Sequence, residues 1–391
     1  MSKYYSYLNT SKSIIEAYDG SFPLAGHLKQ HFRTSSKFGS KDRKAITTIC
    51  FNYFRLANTI ATKNLEEAII DTNFLMNNIH FIENVKPELY SKINDTLEEK
   101  IHHINPNFNL NNVFPFSNYL SENIENELFN LSFINQPSVF IRIRPGQSYS
   151  VIQKIIEAEL PYKQITETCI SFENSTKIDQ LLNIGDEVII QDYSSQKCGE
   201  IMRKYIENMA PNTAIWDCCA ASGGKSIMMH DINSAISLTV SDIRPSILSN
   251  LSERFALAGI KKYVSFVANL SVSNLDTTQK FKLIIADVPC TGSGTWARTP
   301  EEKHFFKSEK IDEFAQLQYN IVKNTVDNLE NNGIYIYITC SVFADENENQ
   351  VKKIAETLPL KLIEMETLKG YTQKADSMFI AIFQKYGSKS T

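Results

Sequence analysis

Along the first third of the chain, apolar positions recur three and four residues apart. Leu28 and Phe32, then Ile46, Ile49, Phe51 and Phe54, fall on single faces of amphipathic helices, and strand-like alternation is scarce. The spacing predicts an all-helical region over residues 1–135. From Pro137 the texture changes. Val139-Phe140-Ile141-Arg142-Ile143-Arg144 reads as a strand stopped by Pro145-Gly146, and Glu187-Val188-Ile189-Ile190 as another, which predicts a small α/β subdomain over residues 136–208. After Pro211-Asn212 strand-like and helix-like segments alternate to the C-terminus, the pattern of an α/β domain with a doubly wound, mostly parallel sheet over residues 209–388. Its seven strands are expected at Ala214–Asp217, Leu238–Asp242, Val264–Asn269, Leu283–Asp287, Ile334–Thr339, Lys361–Glu364 and Phe379–Gln384.

Composition changes this picture little. With 391 residues the chain is long enough for two or three folding units. Its 42% hydrophobic and 21% charged residues are ordinary for a globular protein. No apolar run approaches the roughly 18 residues that a bilayer span needs, and the polar, Tyr-rich stretch Met1 to Thr10 lacks the order of a secretory signal, so a cytoplasmic protein with no membrane partner is expected. The seven cysteines are odd in number and show no CxxC or Cys/His spacing, which predicts reduced thiols and no metal site.

Net charge is −4, so a polyanionic partner would have to be held by a local patch. The densest one is Lys29, Arg33, Lys37, Lys41, Arg43 and Lys44 with one acid, Asp42. Such a cluster reads either as a phosphate-binding face or as a solvated helix surface.

Candidate chemistry begins at the end of the first strand of the large sheet. Asp217-Cys218-Cys219-Ala220-Ala221-Ser222-Gly223-Gly224-Lys225 is a small-residue turn between a strand and a helix, where backbone can approach a ligand closely. A phosphate-binding P-loop needs glycine five residues before Gly224, and Cys219 stands there; the dinucleotide fingerprint G-x-G-x-x-G is also absent. Besides a turn that merely connects strand to helix, what remains is the loop with which class I methyltransferases hold S-adenosylmethionine. The next strand ends in Asp242, an acid suited to ribose hydroxyls. Ligands of open α/β sheets bind beyond the carboxyl ends of the strands, where all these residues fall.

Two later strands each end in a cysteine, within Asp287-Val288-Pro289-Cys290-Thr291-Gly292-Ser293-Gly294 and Ile338-Thr339-Cys340-Ser341. A lone cysteine is commonly a small buried hydrophobe. Two at neighbouring strand ends, beside a methyl donor, fit a specific reaction. Carbon 5 of cytosine is too weak a nucleophile to take a methyl group until a thiolate adds at carbon 6 while an acid, here Asp287, supports ring nitrogen 3.

These motifs closely resemble the RsmB/NOP/Sun family of RNA 5-methylcytosine methyltransferases, over nearly the whole chain. The family's D-x-C-A-A-P-G-G-K is matched from Asp217 to Lys225 except for Ser222 in place of proline, D-x-P-C from Asp287 to Cys290, and T-C-S from Thr339 to Ser341, followed by the familiar Glu346-Asn347-Glu348-Asn349. The resemblance implies a class I, Rossmann-like methyltransferase domain, Cys340 as nucleophile and Cys290 as the thiol that aids product release. It implies S-adenosylmethionine contacts from Cys219, Ala220, Ala221, Ser222, Gly223, Gly224, Lys225, Asp242 and Asp287, with Arg244 adjacent. Asn269 stands where the family has an acid near the adenine, and its amide can pair with that edge.

Phe32-Arg33, Gly39 to Lys44 and Tyr53-Phe54-Arg55 resemble the family's helical N-terminal region, implying an RNA-binding role for residues 1–135; Arg142-Ile143-Arg144 and Val188 to Gln196 resemble its small domain. Arg298 reads as a substrate contact or as an ordinary surface arginine. The expected substrate is ribosomal RNA, with transfer RNA second, and the expected state is a monomer. The rival readings are a non-catalytic ribosome-assembly factor with the same fold, and a methyltransferase acting on another base or on protein.

Overall fold

A computed structural model of the chain describes residues 2–35, 37–60, 64–104, 108–272 and 278–386; Met1 and residues 387–388, which the sequence reading placed in the first and last domains, lie outside them. The chain folds as two compact units. One comprises Met1–Asn118, Glu125–Gln136 and Thr295–Ser308, the other Tyr119–Ile124, Pro137–Gly294 and Glu309–Thr391.

The first unit is helical, built on helices such as Lys3–Ala17, Leu24–Thr34, Ser40–Leu56 and Leu65–Leu75. The apolar stripe read from the sequence is its core, since Leu28, Phe32, Ile46, Ile49 and Phe54 are buried together. Residues 295–308 come from far along the chain, and two buried cations tie them in. The Arg55 guanidinium donates to the carbonyls of Phe133 (3.2 Å) and Ala297 (2.7 Å), and Lys303 Nζ donates to those of Arg55 (3.2 Å) and Val113 (2.6 Å). Trp296 packs on Phe114 and Phe306 in the same core.

The second unit carries two sheets. Strands β1 (Val139–Ile143), β2 (Lys163–Gln164), β3 (Cys169–Phe172) and β4 (Val188–Ile190) form an antiparallel sheet in the order β2-β3-β1-β4. β1 sends Arg142 and Arg144 to one buried carboxylate, Asp231, each at 2.7 Å, so the Arg-Ile-Arg motif fastens this sheet to the helix Gly224–Ile232.

Strands β5 (Ala214–Asp217), β6 (Ser237–Asp242), β7 (Val264–Val267), β8 (Phe281–Asp287), β9 (Leu329–Thr339), β10 (Leu360–Leu368) and β11 (Met378–Lys385) form the large sheet, ordered β10-β11-β9-β8-β5-β6-β7. β5, β6, β7, β8 and β9 pair in parallel; β11 runs antiparallel to both of its neighbours. The order reverses between β5 and β8. At such a switch point the loops from the carboxyl ends of the strands part and leave a crevice. Buried cores cover both faces of the sheet, one with Ile227, Leu251 and Phe255, the other with Ile321, Val322 and Val351. Asp242 and Asp287 end β6 and β8, and Cys219 to Lys225, Arg244, Asn269, Cys290 and Cys340 lie in the loops and helix starts that follow β5, β6, β7, β8 and β9.

Candidate active site

The loop after β5 is shaped by its backbone. Ala221 and Gly223 both have positive φ (46° and 82°), and Gly223 caps the helix Gly224–Ile232 in the left-handed conformation. A Cβ on Gly223 would lie 2.7 Å from the Phe255 ring, so glycine is required there for space as well as for conformation. Ser222, the departure from the family pattern, is held from outside the motif: Arg254 Nη1 donates to its carbonyl at 2.8 Å and to its hydroxyl at 2.5 Å. Sequence reading missed Arg254, which lies 32 residues downstream of Ser222 with no local signal.

Asp242 ends β6 and meets this loop directly. Its carboxylate accepts from Ala221 N (3.1 Å), from Arg244 N (3.0 Å) and from Arg244 Nε (2.9 Å). Burial acts to raise its pKa, but the Arg244 bonds outweigh that and hold the carboxyl below its usual range. Arg244 is itself mostly exposed, so its guanidinium can leave Asp242 without disturbing the core. Asn269 is exposed two residues beyond β7, where its side-chain carbonyl accepts from the Ser271 hydroxyl at 2.6 Å.

Asp217, at the end of β5, is sealed and accepts from Ser226 Oγ at 2.6 Å. Burial pushes its carboxyl up to about 7 against that bond. The folded state therefore holds this proton more tightly than the unfolded chain, and the contribution to stability is greatest near pH 4 and lost as pH rises through 7. Asp217→Asn is expected to gain stability relative to the parent as pH goes from 5 to 8, by at most about 3 kcal/mol. Paired thermal melts check it; a constant difference across that range would show that Asp217 does not titrate there.

β8 and β9 are adjacent and parallel, with Asp287 paired to Ile338. Their ends place Cys290 Sγ 3.2 Å from Cys340 Sγ, and the Cys340 backbone N–H points at Cys290 Sγ from 3.4 Å. Cys290 is held as a neutral thiol, its pKa well above the usual value, by its hydrogen bond with Cys340, by burial and by the charge of Glu346. The glycine loop reaches the same place through Lys225, whose ammonium sits 2.5 Å from Asp287 Oδ2. Burial alone would depress the Lys225 pKa; Asp287 and the nearby thiols Cys198 and Cys340 reverse this and raise it. One crevice thus unites Lys225, Asp287, Cys290 and Cys340.

The loop between the two cysteines' strands is closely packed. Gly294 N donates to the Cys340 carbonyl and the Gly294 carbonyl accepts from Ser377 N, both at 2.9 Å, and a Cβ on Gly294 would collide with the Ser377 carbonyl. The segment after Ser341 is a 3-10 turn, Ala344–Glu346, and the next helix starts only at Glu348. Asn347, with φ −116° and ψ −102°, separates that turn from the helix.

In the helical unit, Lys29, Arg33, Lys37, Lys41, Arg43 and Lys44 are all exposed on or beside the helices Leu24–Thr34 and Ser40–Leu56. Asp42, the one acid among them, is turned away, bonded to the Tyr7 hydroxyl and to Gly39 N. The outward groups of the cluster are left uniformly cationic. Arg298 is half-buried in the same unit, in the turn where its N–H donates to the Thr295 carbonyl at 2.8 Å.

Residues 204–384 match the family model described as 16S rRNA methyltransferase RsmB/F. Ribosomal RNA small subunit methyltransferase B of Salmonella newport (strain SL254) is 30% identical over 174 residues, which is 44% of this chain and 39% of that protein. The protein of the same name from Escherichia fergusonii is 32% identical over 167 residues, 42% of this chain and 37% of the relative. The chain thus spans about two fifths of the length of these curated relatives. Among solved structures, PH0851 superimposes with a TM-score of 0.70 over 98% of each chain at 17% identity. NSun6 from Pyrococcus horikoshii does so with a TM-score of 0.57, at 13% identity, over 68% of this chain and 97% of that one. These two likenesses are of fold. Over residues 204–384, just under half of its length, the chain is thus similar to the RsmB/F methyltransferase family, and these residues carry the large sheet in the order β10-β11-β9-β8-β5-β6-β7.

Proposed function

We propose that the protein is an RNA (cytosine-5-)-methyltransferase that draws its methyl group from S-adenosylmethionine and acts on ribosomal RNA. The observation that carries this reading is the pair of sulfurs, 3.2 Å apart at the ends of two adjacent parallel strands, beside the Lys225–Asp287 ion pair. Methyl transfer to an amine, a hydroxyl or a carboxylate needs no such pair, whereas carbon 5 of cytosine needs covalent activation.

The residues present fit the cofactor. Asp242 is an ionised acceptor at the end of β6, suited to ribose hydroxyls, and the exposed Arg244 guanidinium is the group that would give way. The Cβ position of Gly224 has no neighbour nearer than Arg254 Nη2 at 4.0 Å, which leaves the start of the helix Gly224–Ile232 open on that side. Cys219 to Lys225, Asp242 and Asp287 would hold the cofactor, with Arg244 and Asn269 at its rim. When bound it supplies a methyl group activated by a sulfonium centre.

The side chains divide the remaining work. The Cys340 thiolate forms a bond to carbon 6 while ring nitrogen 3 takes up a solvent proton, which the Asp287 carboxylate, ion-paired with Lys225 at 2.5 Å, holds as a hydrogen-bond acceptor. Electron density pushed to carbon 5 then forms the new carbon–methyl bond. Loss of the carbon 5 proton to water restores the ring double bond and expels the Cys340 sulfur, as the nitrogen 3 proton returns to solvent. Cys290, kept neutral, is the donor that hydrogen-bonds the departing thiolate. The carbon 6 face is covered in a stacked helix, so the target base must be unpaired or flipped.

The exposed cations of the helical unit supply phosphate contacts in this reading, as sequence-independent grip. The test is incubation with tritium-labelled S-adenosylmethionine and unmodified ribosomal or transfer RNA, followed by bisulfite sequencing. Label in cytosine of ribosomal RNA is the expected result. Label in transfer RNA only would change the substrate, and none in either would leave a binding factor.

A further inference from the structure

We infer that Glu346 is a positioning residue that sets the spacing of the two thiols by clamping the residue that follows each cysteine. The inference rests on the reading above only in taking Cys290 and Cys340 as the working pair. Glu346 is sealed from solvent, so RNA cannot touch it. Its Oε1 accepts from Thr291 N at 2.9 Å and from Gln318 Nε2 at 2.8 Å; its Oε2 accepts from Thr291 Oγ1 at 2.6 Å and from Ser341 Oγ at 2.5 Å. Thr291 follows Cys290 and Ser341 follows Cys340. One carboxylate thus spans the two loops directly behind the sulfurs.

The frame around it is equally fixed. Tyr337, in β9, donates to the Gln318 side-chain carbonyl at 2.8 Å. Ser293 Oγ lies 3.1 Å from Ser341 Oγ and accepts from Val342 N at 2.9 Å. A carboxylate without water is tolerated only when its lone pairs are filled, and bonds to an ionised acceptor are shorter and more directional than neutral ones. Four donors converge here, and no other residue type offers four acceptor positions at that reach. Loosening this clamp frees the Cys290 and Cys340 loops to part, and attack and release then cease to be coordinated.

The experiment uses the full chain without RNA. Phenylarsine oxide condenses with two close thiols, losing its oxygen as water while two arsenic–sulfur bonds form. The parent is expected to bind it tightly, and Cys290→Ala sets the single-thiol baseline. Glu346→Ala is expected to lose at least tenfold in arsenical affinity, with S-adenosylmethionine affinity retained. Glu346→Gln, whose amide can donate to the two hydroxyls once they turn, is expected to recover part of that loss. In methylation assays kcat should fall with the same ranking while KM for RNA stays constant. Parent-like arsenical affinity in Glu346→Ala overturns the inference; should that variant not fold, parent-like affinity and kcat in Glu346→Gln do so. A parent that captures the arsenical but methylates no RNA would overturn the proposed function and leave the clamp standing.

Discussion

Cys340→Ala is expected to lose methyl transfer by on the order of 10³-fold or more, the scale on which deletion of a covalent nucleophile acts. Cys290→Ala is expected to accumulate a covalent complex with RNA. The two thiols are near-equivalent in position, each at the end of a parallel strand and in mutual contact at 3.2 Å. The family resemblance assigns attack to Cys340. Cys290 is then the neutral donor beside it, held so by its hydrogen bond with Cys340, by burial and by Glu346. A group held neutral is poor at attack and good at handing a proton to a leaving sulfur. Removing it therefore leaves addition and methyl transfer intact and slows only the breaking of the carbon–sulfur bond. Denaturing electrophoresis with labelled RNA reads this directly: a shifted band for Cys290→Ala, none for Cys340→Ala. A shifted band of equal intensity in both variants would exclude the division of labour, and a band in Cys340→Ala alone would reverse the assignment.

The large sheet was legible because each of its central strands is a short apolar run ended by a turn residue. β5 matches its expected bounds, and β6, β8 and β11 match to within two residues. The misjudged ends have physical causes. β9 starts at Leu329, five residues before the expected Ile334, because it passes through the polar stretch Glu330-Asn331-Asn332, where Asn332 takes a positive φ and the register against β8 shifts. β10 runs to Leu368 instead of Glu364 because this edge strand leaves Met365 and Glu366 exposed, which hides its second half from an apolar reading. The site was legible where the chemistry is contiguous, in the Gly223 turn and the two cysteine motifs. What stayed hidden acts across distance: Arg254 on Ser222, Glu346 on both cysteine loops, and the packing of residues 295–308 with the helices. A hydrogen bond between residues tens of positions apart leaves no trace in spacing, and Glu346 reads along the chain as one more acid.

Lys225→Met and Asp287→Asn are each expected to lower the single-turnover rate by about 10²- to 10³-fold at saturating S-adenosylmethionine, and the double variant to be little worse than either. The sequence left Lys225 with a role in holding the cofactor. The structure turns its ammonium inward, 9% exposed and 2.5 Å from the Asp287 carboxylate, with its pKa raised against the cost of burial. A cation so placed stays charged, and it acts on the base only by holding the Asp287 carboxylate in position. Loss of either partner then removes the same contact to nitrogen 3, which is why the two effects should not add. It also strands the other charge with no partner of its own, so each variant must be shown by thermal melts to remain folded at the assay temperature. Cofactor affinity, measured by calorimetry, separates the roles. A side chain that serves mainly to bind S-adenosylmethionine shows its loss there and recovers its rate at saturation, whereas an ion pair that supports nitrogen 3 keeps its affinity and loses the rate. Parent-like turnover in Lys225→Met at saturating cofactor would return Lys225 to cofactor binding alone and would leave Asp287 to support nitrogen 3 without it.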